Sequence, residues 1–248
     1  MKTQLSAILL ILVISSCTKG IAPVAPSPAP VGFTATVNQT LGTFDDTGRP
    51  TNLETPDVIS NSLLTFLHTT LPEGVDLNTT HPELLSSSAI PDISLTQKTE
   101  LHMTFVSSGS GNSNTIGFYT YPTNNPPTKP TDVKNITVVF PSAGSNTPLK
   151  PGDKMNMGTF DAGTSVGFVL MSNAWNATSK TLNYNVVHYC SNDILNTETN
   201  PAIRKHAILL NYAAESKILI GFEDLDRSLP YCDNDFNDVV FYISMVAK

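Results

Sequence analysis

The chain has 248 residues, with 21 acidic side chains against 14 basic ones and a formal net charge of -7. A surface of that sign is repelled by phosphate backbones, which argues against nucleic acid as a partner. Only 14% of residues are charged, with Asn, Ser and Thr in their place, a surface that suits an exported β-protein.

Met1 to Cys17 carries one base, Lys2, an apolar run from Ala7 to Ile14, then Ser15-Ser16-Cys17. Small residues before a cysteine after a short apolar run form the pattern of a bacterial lipoprotein signal peptide, with Cys17 as the lipidation site. The run is too short to span a bilayer as a helix of ~20 residues. Removing residues 1–17 deletes Lys2 and no acid, so the charge moves from -7 to -8. Two or more acyl chains give stable attachment where one is marginal. The expectation is a cell-envelope protein held to the membrane by lipid at Cys17, in the outer membrane on its periplasmic or surface face. Residues 18–32, which include GIAPVAPSPAP, read as a Pro/Ala tether near the extended polyproline conformation.

Residues 33–99 are expected to pack on the main domain, with an edge strand somewhere in Val31 to Pro50. Thr55 as N-cap and Pro56 at the first helical position predict a helix over about 56–68. Its apolar face would be Ile59, Leu63, Phe66 and Leu67, laid against a sheet. Leu71-Pro72-Glu73-Gly74 ends it.

From residue 100 the period becomes two. Short β-rich runs follow at 101–106, 116–121, 136–140, 155–160, 166–172, 182–189, 207–212, 218–222 and 239–245, parted by Gly/Pro/Asn turns. Nine strands and one early helix predict a mainly β fold, a single jelly-roll-like β-sandwich over 100–248.

The last two strands flank the densest acidity in the chain. Glu223, Asp224, Asp226, Asp233, Asp235 and Asp238 face one base, Arg227. Such crowding raises each carboxyl's pKa unless a cation, donors or open water relieve it. Asp233, Asp235 and Asn237 fall at alternate positions, a spacing that grips hard cations. An EF-hand would need Gly and Glu where Asp238 and Ser244 stand, so that motif is excluded. The segment reads as a strand–acidic loop–strand hairpin closing round Ca2+, with metal ligands Glu223, Asp224, Asp233, Asp235, Asn237 and Asp238. Mg2+ prefers rigid octahedra with few protein ligands and fits less well.

LIGFEDL…CDNDFNDVVFYI resembles the signature of the LruC-type domain of bacterial lipoproteins and secreted proteins, the family of domain of unknown function 4114. Glu223, Asp224, Asp233, Asp235, Asn237 and Asp238 match its GFED and DxDFNDVVF motifs. Leu71–Leu85, Asn114–Pro122, Ile136–Pro141 and Gly163–Trp175 look similar as well. The resemblance covers most of the chain after about residue 55 and implies calcium binding without an assigned activity.

With Cys17 acylated, Cys190 and Cys232 remain, to be bonded as a disulfide or left as two thiols. Catalysis finds little footing. There is no G-x-S-x-G or H-E-x-x-H motif, and Ser110 reads as a flexible loop residue. Three functions stay open: a non-catalytic structural or binding (adhesive) module with a protein or glycan ligand; a carboxylate-dependent glycan hydrolase using Glu223 with a loop aspartate; and a metal-free envelope scaffold.

Overall fold

The computed structural model describes residues 32–86 and 91–248, and the secondary structure below refers to these. The expected signal peptide, Cys17 and all of the tether except Gly32 lie outside them. In chain order the strands are β1 (Val37–Thr40), β2 (Ile93–Ser94), β3 (Thr99–Ser108), β4 (Thr115–Pro122), β5 (Asn135–Phe140), β6 (Lys154–Phe160) and β7 (Thr164–Met171). They continue with β8 (Trp175–Asn176), β9 (Thr181–Leu182), β10 (His188–Cys190), β11 (Ala207–Tyr212), β12 (Lys217–Phe222) and β13 (Val239–Ala247). Two helices, α1 (Asn61–Thr70) and α2 (Leu77–Thr80), precede β2.

Eleven of these strands form the expected two-sheet sandwich, while β8 and β9 pair with each other apart from it. One sheet runs β1-β5-β4-β7-β10 with β2 also on β7, and the other runs β11-β12-β13-β3-β6. Successive strand residues point to opposite faces, so the period of two divides the central strands such as β13 between two cores. In β13, Val239, Phe241 and Ile243 enter the core between the sheets with Phe105, Phe168 and Phe222. Val240 and Tyr242 face outward, where α1 covers them with Leu63 and Leu67. The strand is thus buried on both faces up to Ile243.

The helix starts later than the sequence suggests. Residues 54–57 are not helical, because Glu54 N–H donates to Lys154 O and Asp57 N–H to Gly152 O, both at 2.9 Å. Asp57 also accepts from Lys154 Nζ and from Tyr242 Oη. Ser60 is the N-cap instead, its hydroxyl accepting from Leu63 N–H at 3.0 Å. The expected face survives: Leu63 and Leu67 are buried, with Ile59 and Phe66 half-covered beside them.

The run at 182–189 is also divided. Asn183 Oδ1 accepts from Asn185 N–H in a side-chain turn, which ends β9 and sets β10 apart. Residues 33–99 do more than cover the sandwich, since β1 pairs in parallel with β5, and β2 pairs with β7.

Candidate metal centre

β12 and β13 pair from Lys217–Ser244 to Phe222–Val239, so the acidic stretch is the loop of a hairpin. Its backbone is forced: Asn234 and Phe236 both have φ of 58°, a left-handed conformation rare for a bulky residue. The fully buried Phe236 ring keeps it there, in the core beneath α1 with Arg227 over its face. A Cβ on Gly221 would lie 2.2 Å from Phe236 O, so this close approach requires glycine.

That kink divides the predicted ligand set. Glu223, Asp224 and Asp238 place carboxylate oxygens within 4.8 Å of one another, and Asp233 and Asp235 do so with Glu73. The six residues therefore do not converge on one point. Asn237 is held by its amide nitrogen, which donates to Leu71 O at 3.3 Å, and its Oδ1 lies with Glu73 Oε2 beside Gly109. Glu73 carried no weight in the sequence reading beyond its place in the Leu71–Gly74 turn, and only the fold brings it here.

The two groups differ in character. Glu73 and Asp233 are exposed. Asp235 is buried, but its oxygens are met by Gly74 N–H at 2.8 Å and Asn237 N–H at 3.0 Å. It clamps the turn after α1 to the loop. In the other group Glu223 is 0% and Asp224 3% exposed. Glu223 Oε2 is buried and meets no donor in good hydrogen-bond geometry, although the Cys232 thiol and the Asp238 carboxyl lie against the Glu223 carboxyl. Burial above all pushes the coupled Glu223 and Asp238 carboxyls well above the usual carboxylate range, with Asp224's charge adding to both.

No base pairs directly with these acids. Among the described residues, no Lys or Arg forms a salt bridge with any of these three acids; the salt bridges that do form lie elsewhere. Arg227, buried beside them, gives its donors to neutral oxygens: Asn234 Oδ1 at 2.7 Å, Lys205 O and Asn78 Oδ1 at 3.1 Å each. The donors that do reach Asp224 come from the β3–β4 loop: the Ser110 hydroxyl and the side-chain amides of Asn112 and Asn114. Sequence reading took Ser110 for a flexible loop residue. The alternation Ser110, Asn112, Asn114 was the available signal. An acid-only oxygen set with Glu223 and Asp224 buried, Asp238 half-buried and one orphaned oxygen fits Ca2+, which takes oxygens at 2.3–2.6 Å.

Of the two alternatives for the cysteines the structure holds the unpaired one: Cys190 and Cys232 are free thiols, both buried. Strand alternation is the reason. Tyr189 faces the inter-sheet core and stacks on His206, while Cys190, one residue on, points to the opposite face among Val169, Met171 and Leu195. Cys232 sits beside Glu223, whose charge and the burial of the site push its thiol up.

The fold and site together define a β-sandwich whose final hairpin encloses a buried carboxylate centre. Residues 160–246 match the family described as Domain of unknown function (DUF4114). The match includes the whole hairpin and excludes Glu73 and the β3–β4 loop. No curated protein and no solved structure matches the chain.

Proposed function

We propose that this chain is a LruC-type, lipid-anchored module of the bacterial cell envelope whose last hairpin is ordered by Ca2+, and that it serves as a structural or binding element. The observation that carries the cation is Glu223 Oε2, fully buried and meeting no donor in good geometry beside Asp224 and Asp238. Leaving an acceptor unsatisfied in the interior costs about 1–3 kcal/mol, more for a charged group. A divalent ion removes that cost and the mutual repulsion together. Glu223, Asp224 and Asp238 would hold it, and its contribution is to fix the loop that joins β12 to β13.

The glycan hydrolase reading draws less support. Glycosidase carboxyls must reach a sugar, whereas Glu223 is fully buried and Asp224 nearly so. Lipid anchoring at Cys17 rests on the sequence pattern alone. Among the described residues, no helix is long and apolar enough to cross a membrane.

Isothermal calorimetry of chelator-treated protein tests the cation. One Ca2+ should bind with a dissociation constant of ~10⁻⁴–10⁻³ M, the range of extracellular modules. Absence of binding at that range would favour the metal-free scaffold. Metabolic labelling with a fatty acid, lost on Cys17→Ala, tests the anchor.

A further inference from the structure

The β3–β4 loop carries chemistry that lies outside the matched family span. Ser110, Asn112 and Asn114 stand at alternate positions, and Ser110 and Asn114 are 8% and 0% exposed. All three donate to one carboxylate. Ser110 Oγ and Asn114 Nδ2 meet Asp224 Oδ2, and Asn112 Nδ2 meets Oδ1 at 3.0 Å.

These donors are themselves held. Asn114 Nδ2 also donates to Ser110 Oγ at 2.9 Å, and Ser110 Oγ accepts from Asn112 N–H at 2.8 Å. Asn173, at the turn after β7, donates from Nδ2 to Asn112 Oδ1 at 3.0 Å, and its Oδ1 accepts from Ser113 N–H at 3.0 Å. The same loop grips a second acid from behind: Gly109 N–H, Ser110 N–H and Ser108 Oγ all reach Asp238 O, at 3.1, 3.2 and 2.8 Å. Asp238 Oδ2 in turn accepts from Asp224 N–H at 2.8 Å.

We propose that Ser110, Asn112 and Asn114 are positioning residues that fix Asp224, and through it the acidic centre, in the orientation that receives the cation. The proposal rests on the cation reading above. Its logic is electrostatic. A lysine or arginine at these places would orient Asp224 equally well but cancel the charge the ion needs. A hydroxyl and two amides orient the carboxylate and leave its charge intact. Partners of this kind around metal ligands typically set 10–100-fold of the affinity.

The test uses Ser110→Ala, which deletes one oxygen, Asn114→Ala, and the neighbour Ser113→Ala as control. Two quantities are read: the Ca2+ dissociation constant by calorimetry, and the melting temperature in chelator. Ser110→Ala and Asn114→Ala should weaken Ca2+ binding at least tenfold, with Ser113→Ala matching the parent. A loop that only braces the fold would lower the chelator melting temperature and leave the dissociation constant of the folded protein within twofold, which overturns the proposal. Should Asn114→Ala fail to fold, Ser110→Ala decides alone. A parent that binds no Ca2+ overturns the cation reading itself and this inference with it, a result distinct from equal binding by parent and variants.

Discussion

Replacing Glu223 with glutamine keeps the shape of the side chain and removes the charge at the one orphaned oxygen of the centre. In the parent, Ca2+ at ten times its dissociation constant stabilises the fold by RT ln(11), about 1.4 kcal/mol. The described residues number 213, from 55 in 32–86 and 158 in 91–248. For a domain of that size each kcal/mol shifts the melting temperature by about 2–4 °C, so the expected rise is about 3–6 °C. Glu223→Gln should respond differently in both conditions. In chelator it should melt above the parent, because the buried acid and its repulsion from Asp224 and Asp238 are gone and an amide can donate to either neighbour. With Ca2+ it should shift by less than about 1 °C on the same scale. Thermal unfolding followed by circular dichroism, with chelator and with Ca2+ on the order of 10 mM, reads both. A variant that melts below the parent in chelator and keeps the full Ca2+ shift would refute the reasoning.

Other outcomes follow from the same packing. Leu67→Ala, on the buried face of α1 and 2% exposed, should cost about 2–5 kcal/mol in urea unfolding; a loss under 1 kcal/mol would mean that α1 is not docked as described. Asp92 is buried, accepts from Ser191 and Tyr121 hydroxyls, and burial raises its carboxyl from 3.8 to about 6. The folded state therefore holds this proton more tightly than the unfolded one, and stability falls as pH rises from about 4 to 6 before levelling. Between pH 5 and 7 the parent should lose about 1.3 kcal/mol more than Asp92→Asn; parallel pH profiles would contradict this. Alkylation of the unfolded, unreduced protein should label both Cys190 and Cys232, whereas a peptide linking the two would contradict the free thiols.

Much of the fold could be read from local pattern. The period of two marks 239–245 as a strand, and the turn-rich gaps locate most of its partners; that both its faces are buried up to Ile243 comes from the fold. Where the reading failed, a distant contact outweighed a local signal. Pro56 reads as a helix start, yet the bond from Asp57 N–H to Gly152 O keeps that stretch out of the helix, and Ser60 caps it. For Cys190 and Cys232 the pattern leaves a bond and two thiols both open, because composition does not reveal that Cys190 points away from the loop. In the acidic hairpin the residue types were legible and the grouping was not. The left-handed turns at Asn234 and Phe236 send Asp233 and Asp235 toward Glu73, leaving Glu223, Asp224 and Asp238 as a separate buried centre. The loop that orients Asp224 is about 110 residues away in sequence, beyond any local motif.

Diffraction from crystals grown with Ca2+, recorded at a wavelength where calcium scatters anomalously, tests the cation centre most directly. The account predicts an anomalous peak bonded at 2.3–2.6 Å to oxygens of Glu223, Asp224 and Asp238. A peak only between Glu73, Asp233 and Asp235, or a buried centre without one, would contradict it.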